Sequence, residues 1–416
     1  MRKMIVSILS LMSGTAIFLV GHGLLGTLLS LRASVEEYST TITGIIMAAY
    51  FAGYIVGTFK GPMMINRIGH IRVFAITASI ASALVLFHGL VVSPWAWAAT
   101  RFVYGGCVVV FYLVIESWLN DRASDSSRGQ VFSAYTFVTL ISLAAGQYLL
   151  VLGDVVALEL FAIAAVLFSF SLVPIAWTRL PEPRRVKAPA IDIKKLIHTA
   201  PVGFAGCLAS GLVGGAFWTI SPLFALESGL SETQVAAYMS IPIIGGALFQ
   251  LPAGLLSDRF DRRNTIAVLS IIAALFALST IFISQIPFLL TLCAMFVFGG
   301  MYFSIYPISI AQCLDRADPE DFITMGSSLL LTFGVGAMVS PVVTGFLLEN
   351  LGLNSMPAFN FVILLCLSLF CIQQVQRSER VIEDDRSEFT PVPRTTAVAM
   401  EVVSDQAAHT IEEAHK

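Results

Sequence analysis

Arg101 and Glu116 stand out because almost everything between them is apolar or small. They lie 15 residues apart in the run Arg101-Phe-Val-Tyr-Gly-Gly-Cys-Val-Val-Val-Phe-Tyr-Leu-Val-Ile-Glu116. At about 100° per residue, Gly105, Val108, Tyr112 and Glu116 fall within roughly 60° of Arg101, so a helix puts both charges on one face. Along the axis they are about 22 Å apart, too far to pair. The guanidinium can face a cavity and bind an anionic group, or reach outward to the membrane surface. The carboxylate can couple protonation to a conformational change, or form a structural pair with Arg122 or Arg128. His22, set among Gly21, Gly23 and Gly26, is a further group able to take up a proton near neutral pH. His22 and His88 read equally as hydrogen-bonded helix residues. Tyr50, Tyr54, Tyr112, Gln147, Trp218, Gln250, Tyr302, Tyr306 and Asn360 can supply hydrogen bonds and rings to a small organic solute. Each can also simply link two helices.

The elements that carry these residues are membrane helices. Of 416 residues, 56% are hydrophobic and 12% charged, about half the charge of a soluble protein. The mean hydropathy is +0.83. A soluble enzyme, a disordered chain and a disulfide scaffold are excluded. A helix crosses a bilayer in about 20 apolar residues. Twelve such stretches are predicted: 4–31, 41–65, 73–92, 96–118, 130–152, 156–178, 200–224, 234–256, 265–284, 288–312, 323–348 and 357–375. Met1-Arg2-Lys3 opens a run too long for a signal-peptide core, so it reads as the first helix. The runs are continuous rather than alternating, which argues against a strand barrel.

Basic residues set the orientation. Of 24 Lys and Arg, all but Arg32 and Arg101 fall in segments facing one side. By the positive-inside rule that side is cytoplasmic and holds both termini. Residues 1–178 form a first six-helix bundle and 200–376 a second. Residues 179–199, basic and proline-rich, form a linker at the membrane surface. Residues 377–416 are charged and poor in apolar residues, which predicts a disordered cytoplasmic tail. The six cysteines lack paired spacing and read as small buried residues, with no metal site expected.

The halves repeat at an offset of 192 to 194 residues. Gly53, Gly57 and Gly61 match Gly246, Gln250 and Gly254. Asn66-Arg67 matches Asp258-Arg259. Gly105-Gly106, Tyr112 and Asp121-Arg122 match Gly299-Gly300, Tyr306 and Asp315-Arg316. Glycine every fourth residue lets a neighbouring helix approach closely. An acid beside a base at a helix end can form a salt bridge in one conformation and release it in another. Asn66, Arg67, Asp121, Arg122, Asp258, Arg259, Asp315 and Arg316 are therefore candidates for a cytoplasmic gate. Arg101 and Glu116 face Met295 and Ile310 in the repeat, so symmetric packing does not explain them.

These motifs resemble the major facilitator superfamily. Its loop signature Gly-x-x-x-Asp-Arg-x-Gly-Arg-Arg matches Gly254-Leu-Leu-Ser-Asp258-Arg259-Phe-Asp261-Arg262-Arg263. It is degenerate at Gly61 to Arg72, where Asn66 replaces the acid. Its Arg-x-x-x-Gly signature matches Arg101 to Gly105, whereas the glycine-rich antiporter signature is missing at Gly146-Gln147. Phe111 to Asn120 resembles the YcaD-like bacterial branch. The resemblance implies an all-α fold of twelve transmembrane helices in two pseudo-symmetric six-helix bundles. It also implies a secondary transporter of the bacterial inner membrane working by alternating access. The reading expects a small-molecule substrate, protons and membrane lipid as partners, no nucleic acid and a monomer. No enzyme activity and no cofactor or metal are expected, since no Walker loop, hydrolase elbow or redox motif is visible. An uncoupled uniporter, or a receptor signalling through the tail, is the alternative.

Overall fold

A computed structural model describes residues 2–124, 127–178, 183, 186, 189–377, 389, 395, 396 and 398. The basic linker residues Arg179, Arg184, Arg185 and Lys187, and most of the expected disordered tail, lie outside the described residues.

Among the described residues, twelve helices are long and apolar enough to cross a membrane. In hydrocarbon no water can satisfy the backbone, so each apolar run closes its hydrogen bonds internally as helix. The first half comprises α1 (Arg2–Val35), α2 (Thr40–Ile68), α3 (His70–Leu90), α4 (Pro94–Arg122) and α5 (Arg128–Gln147), then α6 (Glu159–Phe170) and its continuation α7 (Leu172–Trp177). A short helix, α8 (Ile193–Thr199), leads into α9 (Pro201–Thr219), α10 (Ser221–Glu227), α11 (Glu232–Arg259), α12 (Arg262–Ser279), α13 (Phe288–Leu314), α14 (Phe322–Leu351) and α15 (Ser355–Arg377). Local chemistry sets several ends. Ser39 accepts from the Ile42 N–H before α2. Ser231 and Gln234 form a reciprocal capping box on α11. Gly352, at φ +83°, ends α14 in a conformation that side chains resist.

The glycine stripes are helix crossings within each half. The Cα of Gly53 lies against the Phe102 carbonyl, and Gly105 lies against that of Tyr50, so α2 and α4 meet backbone to backbone. The second half repeats this, with Gly245 against the Phe296 carbonyl and Gly299 against that of Pro242. The contact therefore pairs Gly53 with Gly245, one residue from the Gly246 that sequence spacing selects. Gly246 lies beneath the Phe303 ring instead.

The two bundles are fastened at the end away from Arg2 and Arg377. There the Ser30 hydroxyl donates to the Thr219 carbonyl (2.6 Å), Thr40 to that of Gly345 (2.7 Å), and Ser240 to that of Ala144 (2.9 Å). The Thr41 N–H donates to Glu349 Oε2 at 3.1 Å. At the terminus-bearing end the linker mediates. The Asp192 N–H donates to Ser328 Oγ (2.9 Å), and Lys195 pairs with Asp321 (2.5 Å). Arg32, the lone base at the far end, pairs with Glu36 at 2.6 Å.

A methyl group at position 53 has no room, whereas one at Gly26 meets only the Trp218 carbonyl, at 3.8 Å. Gly53→Val is expected to cost about 1–3 kcal/mol through overpacking and to lower the melting temperature in detergent. Gly26→Ala is expected to leave it unchanged within about 1 °C.

Candidate functional site

Between the bundles lies a cavity of about 180 Å³. One part is lined by His22 and Arg101, and its reach extends to Pro189 and Ile191 of the linker and Thr395 of the tail. Of the sequence candidates, Tyr50, Tyr54, Arg101, Tyr112, Gln147, Trp218 and Gln250 line it, as does His22. Tyr302 and Tyr306 do not. The Tyr302 hydroxyl donates to the Ser210 carbonyl at 2.8 Å, and the Tyr306 ring meets that of Phe333 edge-on at 5.2 Å. Asn360 is buried in α15, away from the lining. The sequence reading misses Phe51, Thr136, Phe303, Ser327 and Phe333. Their helical phase relative to Arg101 is visible only once the helices are packed.

Arg101 is 4% exposed. Its Nη2 approaches Met47 Sδ at 3.6 Å, and its carbon centre lies 4.7 Å from the Tyr50 ring centroid and 5.7 Å from that of Tyr104. Nε and Nη1 are buried without a hydrogen-bond partner. Among the described residues no carboxylate pairs with Arg101. Ring faces attract a cation but do not neutralise it, and a buried unpaired charge is strongly disfavoured. The group is therefore poised to receive an anion. His22 Nδ1 sits 2.7 Å from the Tyr104 hydroxyl. Gln147 is held across the bundle, accepting from Thr27 (2.5 Å) and donating to the Gly23 carbonyl (2.8 Å). The polar groups at this end of the cavity are thus fixed by their neighbours.

Glu116 is fully buried, at 0% exposure. Tyr135 donates to its Oε1 at 3.1 Å. The hydroxyls of Thr395 and Thr396, from the tail, donate to its two oxygens. Glu116 is not part of the lining, whereas Tyr54, Tyr112 and Thr395 are.

The charged loops differ between the halves. Arg262 bridges Asp315 (2.6 Å) and Asp258 (2.9 Å) and also reaches Ser257 Oγ (3.1 Å). Arg263 holds Asp261 (2.7 Å) and the Gln374 carbonyl (3.1 Å). Arg67 and Arg259 are exposed, and Arg316 is half-buried. In the first half Asp121 pairs with its neighbour Arg122 at 3.5 Å. Asn66 instead grips the linker: Nδ2 donates to the Val186 carbonyl (2.8 Å) and Oδ1 accepts its N–H (3.1 Å). An aspartate could not donate, which gives a physical reason for the amide where the signature has an acid. The sequence reading misses Arg262 as the centre of the second-half network. The signature's own Arg262-Arg263 pair was the available signal.

The sequence profile of the Major Facilitator Superfamily matches residues 11–330 and 203–406. The chain belongs to the major facilitator superfamily. It is therefore a multi-pass membrane transporter by family. It is 28% identical over 353 residues to the uncharacterised MFS-type transporter YcaD of Escherichia coli O7:K1, covering 83% of this chain and 90% of that one. YcaD of strain K12 / DH10B matches to the same extent. Solved structures share the fold at low identity. The nucleoside transporter NupG has a TM-score of 0.66 at 16% identity, covering 90% of this chain and 99% of its own. A bacterial homologue of the human lysosomal transporter Spinster, inward-facing and occupied, has 0.70 at 15%, covering 91% and 97%. A D-xylose–proton symporter has 0.67 at 16%, covering 94% and 99%.

Two of the buried arginines, Arg101 and Arg262, are expected to respond oppositely to loss of charge. Arg101→Met removes an unpaired charge and should raise the ligand-free melting temperature by about 2 °C or more. Arg262→Met strands Asp258 and Asp315 and should lower it by at least as much. Thermal unfolding of the two variants in one detergent checks both signs.

Proposed function

We propose that the protein is a secondary active transporter of the bacterial inner membrane, moving a small organic solute by alternating access and coupled to protons. The observation that carries the reading is the central cavity, with a buried unpaired guanidinium at Arg101 and aromatic walls from Tyr50, Phe51, Trp218 and Phe303. An anionic group seated on Arg101 supplies the missing counter-charge, and an apolar body contacts the rings. The fastened end, from Ser30 to Glu349, is the periplasmic side by the positive-inside rule. The cavity therefore stands towards the cytoplasm. Both termini are cytoplasmic, and the chain works as a monomer in lipid.

Glu116 is the proton-carrying group. It is a buried carboxylate in the same helix as Arg101, and the hydroxyls of Tyr135, Thr395 and Thr396 that donate to it can equally accept from a protonated acid. His22, hydrogen-bonded to Tyr104, is a second proton acceptor. The cytoplasmic gate comprises Asn66, Arg67, Asp121, Arg122, Asp258, Arg259, Asp315 and Arg316, and opens as the hydrogen bonds of Asn66 and the ion pairs of Asp121, Asp258 and Asp315 release and re-form. Rocking of one bundle against the other exposes the cavity to each side in turn.

The test begins with a thermal-shift screen of organic anions and matched neutral analogues on purified protein. A ligand that stabilises the wild type but not Arg101→Ala is then measured for flux in proteoliposomes. A pH gradient is expected to drive accumulation in the wild type. Glu116→Gln should lose gradient-driven accumulation, by about tenfold or more, while retaining exchange of labelled for unlabelled solute. Unchanged accumulation in Glu116→Gln would establish an uncoupled uniporter instead. Absence of any flux would remove the transport reading.

A further inference from the structure

Four described residues of the tail, Phe389, Thr395, Thr396 and Val398, are buried although they lie beyond the last helix. Their contacts fall on both bundles at once. On the first, Thr395 and Thr396 donate to the two oxygens of Glu116, and the Tyr54 hydroxyl donates to the Thr395 carbonyl at 2.6 Å. On the second, the Phe389 N–H donates to Asp258 Oδ2 at 3.2 Å, and its ring packs on the bare Cα of Gly254. Thr395 is itself part of the cavity lining. The seat is specific in chemistry: a carboxylate that receives adjacent hydroxyls, a phenol that caps a carbonyl, and a glycine that leaves space for a ring.

We propose that Phe389, Thr395, Thr396 and Val398 act as an intramolecular plug, seated in the terminus-side mouth of the cavity, that must leave for the transporter to turn over. The seat bridges two bodies that have to move relative to one another, so an occupied seat holds them in one arrangement. It also covers the carboxylate of Glu116 and narrows access to Arg101. Phe389 follows the end of α15 by 12 residues, a tether short enough to hold the segment at an effective concentration of about millimolar. A segment with only weak intrinsic affinity therefore occupies its seat much of the time, yet exchanges readily. That combination suits a regulator rather than a permanent part of the bundle. Gly254 carries a double constraint, since it belongs to the charged-loop signature and also receives the Phe389 ring.

The word "plug" rests on the transport reading, but the seat can be tested without transport. Thr58, on the cavity lining one turn beyond Tyr54, is replaced by cysteine in a background lacking the native cysteines. Its rate of reaction with a bulky, membrane-impermeant maleimide is read on the purified protein. Truncation before Phe389 is expected to raise that rate at least about fivefold, corresponding to a seat filled in about 80% of molecules. The full-length double variant Thr395→Val, Thr396→Val, which removes the hydroxyls on Glu116, should raise it in the same direction. A synthetic peptide of residues 389–398, added at ~1 mM to the truncated protein, should restore protection. Equal labelling rates in the full-length, truncated and double-variant proteins would overturn the proposal. If truncation yields no folded protein, the double variant and the full-length chain decide between the same two outcomes. A positive result stands even where no solute flux is found, so failure of the seat and failure of the transport reading are separable.

Discussion

A charge buried in the protein, away from water, must be compensated by the protein itself, and this constraint sorts the ionisable residues of the chain. Arg262 meets it in full: Asp258, Asp315 and Ser257 surround its guanidinium within hydrogen-bond reach. Such a site ties α11, α12 and α13 into one rigid bundle. Arg101 does not meet it, with Nε and Nη1 buried and unpartnered and two tyrosine rings for neighbours. The same side chain at two places thus does two jobs. The satisfied one holds a bundle together, and the unsatisfied one is, in the proposed transporter, the seat for an anionic group.

The internal repeat supplies the scaffold, and departures from it supply the chemistry. Both halves build their central crossing from glycine against carbonyl, Gly53 on Phe102 and Gly245 on Phe296. Backbone-to-backbone contact of this kind packs α2 against α4 and α11 against α13 at close range. The functional groups break the symmetry. Arg101 and Glu116 have Met295 and Ile310 as counterparts, and Asn66 uses an amide to hold the linker where the second half uses an acid to hold Arg262. Fastening is also one-sided, with Ser30, Thr40, Thr41 and Ser240 joining the bundles at one end and the linker and tail residues lying across the other.

Much of this was legible in the sequence, because bilayer physics acts on composition. Span number follows from apolar run length, and the twelve spans recur as twelve membrane-length helices among the described residues. Family followed from loop signatures whose spacing is fixed by helix ends. The cavity was legible in part. Tyr50, Tyr54, Arg101, Tyr112, Gln147, Trp218 and Gln250 could be named because polar or large aromatic residues are rare in such helices. Tyr302 and Tyr306 carry the same signal but spend it on neighbouring helices. Phe51, Phe303 and Phe333 carry no signal against an apolar background, so only packing assigns them to the lining. Cys293 and Cys366 lie on outward helix faces rather than in the core, since a membrane helix is apolar all round and its sequence does not say which side is buried. The tail was least legible: Thr395 and Thr396 have no periodicity, and their position depends on Glu116, 279 and 280 residues away.

The central claim is that two rigid bundles expose one cavity alternately to its two ends. Pulsed electron–electron distance measurements on spin labels in lipid nanodiscs test it directly. One pair of labels at Val35 and Leu351 reports the fastened end, and another at Arg67 and Arg259 reports the terminus-bearing end; all four positions are exposed. Across a range of pH and with a stabilising solute, the account predicts opposed changes, with one distance lengthening as the other shortens. Distances that stay fixed at both ends, or that lengthen and shorten together, would contradict it.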